Sequence, residues 1–120
     1  MKILVVDDSK AMRMIVRRAL RQAGFDGHSV EEASDGKEAL AAIQRSRPDV
    51  VLTDWNMPEM TGIEMLEALR EQNIDVRVGF VTSQSTPEMV QRARDAGALF
   101  LLAKPFTPDR FKAVLEPVLQ

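Results

Sequence analysis

Cysteine and tyrosine are both absent from the 120 residues. Without cysteine there is no disulfide, no thiolate ligand for zinc and no thiol nucleophile. Such a chain is expected in the cytoplasm, where disulfides are rare. A single histidine is too few for an imidazole-built metal centre. Cations are not in excess: 16 Lys and Arg stand against 18 Asp and Glu, whereas a nucleic-acid-binding domain usually shows a basic surplus. Long apolar runs are missing too. The opening MKILVVDD holds four apolar residues, Ile3 to Val6, before two acids, too short for the apolar core of a secretory signal. No run approaches the roughly 20 residues of a membrane span, so neither membrane insertion nor nucleic-acid binding is expected. No low-complexity linker divides the chain. What remains is a globular mixture, 45% hydrophobic and 28% charged, of a length suited to one domain spanning residues 1–120.

Within that domain, short apolar runs alternate with helical spacing. Ile3 to Val6 is branched and continuous, as in a strand covered on both faces. Ser9 can cap the next segment, where Met12, Ile15, Val16, Ala19, Leu20 and Ala23 recur at helical intervals before Gly24. His28 to Ala33 is more polar and reads as an edge strand, with His28 on its surface. Asp35 and Glu38 resemble a capping box ahead of Ala39, Leu40 and Ile43. Val50 to Leu52 is the second buried strand. Thr61 and Glu64 form a capping-box pattern before Met65, Leu66 and Leu69. Val76 to Val81 is a strand interrupted by Gly79. Ser85 and Glu88 suggest another capping box, with Pro87 in the first turn. Leu99 to Ala103 is a fifth strand. Thr107 and Pro108 open a last helix whose final turn, at Pro117, is expected to be kinked or frayed. The seven methionines read mostly as core filler, and Trp55 as a partly exposed flank.

Five strand–helix units imply an α/β fold: a doubly wound parallel sheet with helices on both faces. For five strands the flavodoxin-like order 2-1-3-4-5 is expected, and ligands then bind beyond the carboxyl ends of the strands. The first strand ends at Asp7 and Asp8, the third at Asp54, the fourth at Thr82 and Ser83, and the fifth at Lys104 before Pro105. Singly, each has an ordinary reading: acids favour a helix amino terminus, and Thr often ends a strand. Jointly, the order brings three carboxylates, a hydroxyl and an ammonium to one edge. Two like charges about 4 Å apart repel by roughly 4 kcal/mol at an effective dielectric near 20, and one lysine does not balance three acids. The arrangement asks for a hard divalent cation with oxygen ligands, Mg²⁺ rather than zinc. Such an ion keeps positions open for phosphate oxygens, with Asp54 as ligand or as acceptor.

The runs VVDD, LTDWNMPEMTG, VTS and AKPF, spread over the whole chain, resemble the receiver domain of bacterial response regulators, the CheY-like family. The resemblance implies that Asp54 is the phosphoacceptor. It implies that Asp8, Asp54 and the carbonyl of Asn56 hold Mg²⁺ directly, with Asp7 acting through a water. It assigns Lys104 and Thr82 to the phosphoryl oxygens. The partners it implies are a sensor histidine kinase or histidine phosphotransfer protein and a downstream target that reads the face of helix 4, strand 5 and helix 5. The chain would be a switch that catalyses its own phosphorylation and slow dephosphorylation, in chemotaxis or a phosphorelay. Asn56 and Gln84 stand where the family sets the rate of that dephosphorylation. One departure is Leu101 with Phe100 beside it, where receivers often carry the aromatic switch residue.

Three other readings stand beside this one. The chain matches a receiver excised from a larger response regulator or hybrid kinase equally well. An aspartate-nucleophile phosphatase of the haloacid-dehalogenase type uses the same residue types, but with a D-x-D pattern on its first strand in place of the adjacent Asp7 and Asp8. A flavin-binding module of the same topology needs a Ser/Thr/Gly-rich phosphate loop, where this chain has DDSKAM.

Overall fold

The computed structural model describes residues 1–25 and 27–119. The elements are β1 (Lys2–Val6), α1 (Lys10–Gln22), β2 (Ser29–Ala33), α2 (Gly36–Arg45), β3 (Val50–Thr53), α3 (Gly62–Glu71), β4 (Arg77–Thr82), α4 (Pro87–Asp95), β5 (Leu101–Ala103) and α5 (Pro108–Leu119). The strands form one sheet in the order β2-β1-β3-β4-β5, with every neighbouring pair parallel. This is the doubly wound, flavodoxin-like architecture that the alternation implies. Among the described residues no helix is long and apolar enough to cross a membrane.

The continuous apolar strands follow from burial on both faces. Leu4 and Val6 of β1 join Val51, Val78 and Phe80 under α2, α3 and α4. Ile3 and Val5 point the other way and meet Val50, Leu52 and Leu102 beneath α1 and α5. Strand β2 contributes little to either core, with Ala33 buried on one face and Val30 half-buried on the other, and its Glu31 and Glu32 are exposed. Arg13 and Arg17 of α1 reach Glu32 at 2.8 and 3.1 Å. Gly79 does not interrupt β4. A Cβ there would fall 2.2 Å from the ring of Phe100, so the bare backbone leaves room for that ring between sheet and helices.

Several local expectations need correction. Trp55 is no flank: it is 7% exposed, and its ring centroid lies 5.0 Å from that of Phe80. The chain turns back beneath the sheet edge after Asp54, which carries Trp55 and Met57 inward. His28 precedes β2 and is half-buried, 6.1 Å from the ring of Phe25, with its Nδ1 buried and unpartnered. Of the methionines, Met57 and Met65 are buried and Met60 and Met89 pack against the same core, as expected, whereas Met1 and Met14 are exposed. Helix α4 is capped by Thr86, not Ser85, through a bond from the Met89 amide. Pro87 at the first helical position has a preset φ and no donor to lose, which makes the residue before it the cap. Asp35 caps α2, but Glu38 accepts from Ser34 Oγ at 2.7 Å and does not close a box. Helix α5 continues through Pro117 to Leu119, and Arg77 Nη1 donates to the Val118 carbonyl.

Candidate functional site

The sheet register decides what meets at the carboxyl edge. Val6 lies opposite Thr53, Thr53 opposite Phe80, and Thr82 opposite Ala103. The residues that follow, Asp7, Asp54 and Lys104, therefore emerge side by side around Thr82. Backbone bonds extend the ladder past the strands: the Asp54 amide donates to Val6 O at 2.9 Å and the Lys104 amide to Thr82 O at 2.8 Å.

Lys104 sits between two of the acids. Its Nζ is 3.2 Å from Asp7 Oδ2 and 3.6 Å from Asp54 Oδ2. All three groups are largely enclosed, with side chains 12%, 6% and 13% exposed for Lys104, Asp7 and Asp54. That enclosure makes their charges count more than surface charges do. Asp8 is exposed at the rim, yet carboxylate oxygens of Asp7, Asp8 and Asp54 all lie within 4.8 Å of one another. Three carboxylates against one ammonium leave the pocket negative. Burial raises the Asp54 pKa above its ordinary value, and the charge of Asp7 adds to that rise. Lys104, the Trp55 amide and the Thr82 hydroxyl pull the other way without cancelling it. A dication fits this donor set: hard oxygens, like charges held together, and a partly open rim.

The remaining residues close the mouth. Thr82 is 1% exposed and its Oγ1 accepts from the Gln84 amide at 3.3 Å. Asn56 Nδ2 donates to Gln84 Oε1 at 2.8 Å, tying the β3–α3 loop to the β4–α4 loop. Leu101 packs toward Phe80 and its neighbours, while Phe100 goes to the opposite face. The departure seen in the sequence therefore places an aliphatic side chain on the α4 side of β5.

Some contributors escaped the sequence reading. Asp7 Oδ1 accepts from the Ser9 amide at 2.9 Å, and Arg13 Nη1 donates to the Asp7 carbonyl at 2.6 Å. Thr53 Oγ1 donates to the Asp54 carbonyl at 2.9 Å, and Asp54 Oδ1 accepts from the Trp55 amide at 2.7 Å. Gly62 opens α3 where a Cβ would lie 2.1 Å from the Asp54 carbonyl oxygen, so any side chain would push the Asp54 backbone away. Its one outward sign is its place eight residues after Asp54, at the start of a helix.

Comparison with known proteins places the whole chain in one family. The family model described as "Response regulator receiver domain" matches residues 3–116. The chemotaxis protein CheY-3 of Vibrio cholerae is 38% identical, over 100% of this chain and 92% of its own length. The chemotaxis protein CheY of Pseudomonas aeruginosa is also 38% identical, over 100% and 97%. The solved structure of the Vibrio cholerae chemotaxis response regulator CheY4 superposes with a TM-score of 0.85 at 41% identity, covering 98% of each chain. Identity at this level along nearly the whole chain, on the same fold, makes this protein a member of the response regulator receiver domain family.

Proposed function

We propose that residues 1–120 act as a single receiver domain, a switch set by phosphorylation of Asp54. The donor is a phosphohistidine on a sensor histidine kinase or histidine phosphotransfer protein. The observation that carries this reading is the enclosed Asp54 carboxylate, 3.6 Å from Lys104 and grouped with Asp7 and Asp8. An oxygen of Asp54 attacks the phosphorus, the phosphorus–nitrogen bond breaks, and its electron pair leaves with the imidazole. The product is an acyl phosphate on Asp54. Attack needs the ionised carboxylate. Lys104, the Trp55 amide and Thr82 all favour that form against burial.

Phosphoryl transfer depends on positioning and on neutralising the equatorial oxygens. Lys104 meets one oxygen and the Thr82 hydroxyl another. Asp7, Asp8, Asp54 and the carbonyl of Asn56 are the groups that would hold Mg²⁺, which when bound supplies the remaining positive charge. The Asn56 and Gln84 amides span the mouth and restrict a hydrolytic water, which makes self-dephosphorylation slow. Beside Lys104 lies a groove of about 440 Å³ lined by Met12, Ile15, Ser83, Pro105 and Phe106. With the exposed Met14 and Ile15 of α1, it offers the donor an apolar approach. Once phosphate oxygens recruit Thr82 and Lys104, the β4–α4 loop is drawn inward and the face made by α4, β5 and α5 shifts its population. Relatives named for chemotaxis favour a target reached by protein contact.

Intact-mass spectrometry after incubation with a small phosphodonor tests the reading. One Mg²⁺-dependent phosphoryl adduct is expected in the wild type and none in Asp54→Ala. An unmodified wild type with an intact fold would overturn it.

A further inference from the structure

Helix α4 is held unevenly. Only Ala93 of its nine residues is buried. Before it and over its first turn, Ser83 to Glu88 are exposed without a break, held by the exposed Asn56–Gln84 bond and the partly buried Met89, and that end adjoins Thr82. The far end is fastened: just past it the Leu99 amide donates to the Val78 carbonyl at 2.8 Å, and a side chain from a different helix reaches its last carbonyls. Arg70, in the last turn of α3, donates from Nε to the Ala96 carbonyl at 3.1 Å and from Nη2 to the Gly97 carbonyl at 3.4 Å. Its Nη1 also donates to Ile74 and Val76 carbonyls at 3.3 and 3.2 Å, which roots the guanidinium in the loop that enters β4. A cation on the terminal carbonyls of a helix satisfies acceptors that have no partner within it and complements the helix dipole. Arg92, one turn before Ala96, adds a second link to α3: its Nη2 and Nε donate to Glu67 carboxylate oxygens at 2.9 and 3.2 Å, with side chains 53% and 39% exposed.

We infer that Arg70 is the hinge of α4: the helix pivots about its clamped carboxyl end, and the amino-terminal end beside Thr82 swings. Nine residues rising about 1.5 Å each make a lever of about 13 Å, so a rotation of about 10° moves the free end about 2 Å. Movement of that size at the Thr82 loop reorients the whole exposed side of α4 without unfolding it. Arg70 is a positioning residue of this device and touches none of the reacting groups.

Hydrogen-exchange mass spectrometry on the full chain tests the hinge in two arms. In metal-free buffer, amides from Ala93 to Ala98 are expected to exchange about tenfold more slowly than those from Ser83 to Val90. Arg70→Met is expected to speed exchange from Ala93 to Ala98 about tenfold and to leave Ser83 to Val90 unchanged, and Arg70→Lys, which keeps the charge with one donor group, to undo part of it. Unchanged exchange from Ala93 to Ala98 in Arg70→Met, or a rise spread evenly from Ser83 to Ala98, overturns the hinge. The second arm rests on the phosphorylation reading and adds Mg²⁺ with beryllium fluoride, a phosphoryl mimic. Exchange is expected to change from Ser83 to Val90 and stay fixed from Ala93 to Ala98. A change spread evenly along α4 overturns the hinge. No change anywhere, with the first arm as expected, counts against the phosphorylation reading and leaves the hinge supported.

Discussion

Asp54 owes its raised pKa to its enclosure. Burial raises its pKa more than Lys104, the Trp55 amide and Thr82 lower it, so in the metal-free protein its charge costs stability. Above the raised folded-state pKa the native carboxylate is ionised at that cost. Below the ordinary value of 3.8 both folded and unfolded states are protonated and the cost is gone. Asp54→Asn is therefore expected to be more stable than wild type at neutral pH without Mg²⁺. The advantage should shrink as pH falls through the folded pKa. Denaturant titrations across that range check it, and an advantage that grows on acidification would contradict the assignment. The acids and Lys104 were legible because each ends an apolar run. Trp55 was not: an aromatic after a strand-end acid reads as surface unless the turn carrying it under the sheet is known. Arg13 escaped for the opposite reason, since an arginine on a helix is ordinary and its bond to the Asp7 carbonyl depends on tertiary placement.

Among the elements, the caps separate what local sequence determines from what it leaves ambiguous. At α3 the pattern and the structure coincide, because Thr61 and Glu64 satisfy each other's backbone donors. At α4 two hydroxyls compete, and Pro87 decides between them in favour of Thr86. Thr86→Ala is expected to cost about 1 kcal/mol of stability, while Ser85→Ala stays within about 0.5 kcal/mol. An equal or larger loss from Ser85→Ala in chemical denaturation would contradict Thr86 as the cap. Periodicity was a sound guide to which strands are buried on both faces, but a poor one at strand ends. Val76 and Leu99 lie just before β4 and β5, although the Leu99 amide already bonds to the Val78 carbonyl at 2.8 Å. Gly79 shows the same limit: the residue that seemed to break a strand is what allows Phe100 to cross it.

Across the whole molecule, topology turns four separated sequence positions into one pocket. The order β2-β1-β3-β4-β5 was readable from alternation and chain length, and with it the company that Asp7, Asp54, Thr82 and Lys104 keep. A ligand that binds only the folded state stabilises it by mass action, by about 2.7 kcal/mol at about 100 times its dissociation constant. Saturating Mg²⁺ is thus expected to raise the melting temperature by on the order of 10 °C for a domain of this size. Asp8→Asn should lose most of that rise, and calorimetry with and without chelator measures both; an undiminished rise in Asp8→Asn would remove Asp8 from the ion. Trp55 adds a practical property. It is the sole tryptophan in a chain without tyrosine, and its amide is bonded to the carboxylate at the centre of the pocket. The near-ultraviolet absorbance and emission of this protein therefore come almost wholly from one ring, packed on Phe80 and carried by the residue next to Asp54. Mg²⁺ entering the pocket is expected to shift that emission, which a fluorimeter would follow in real time with no label attached.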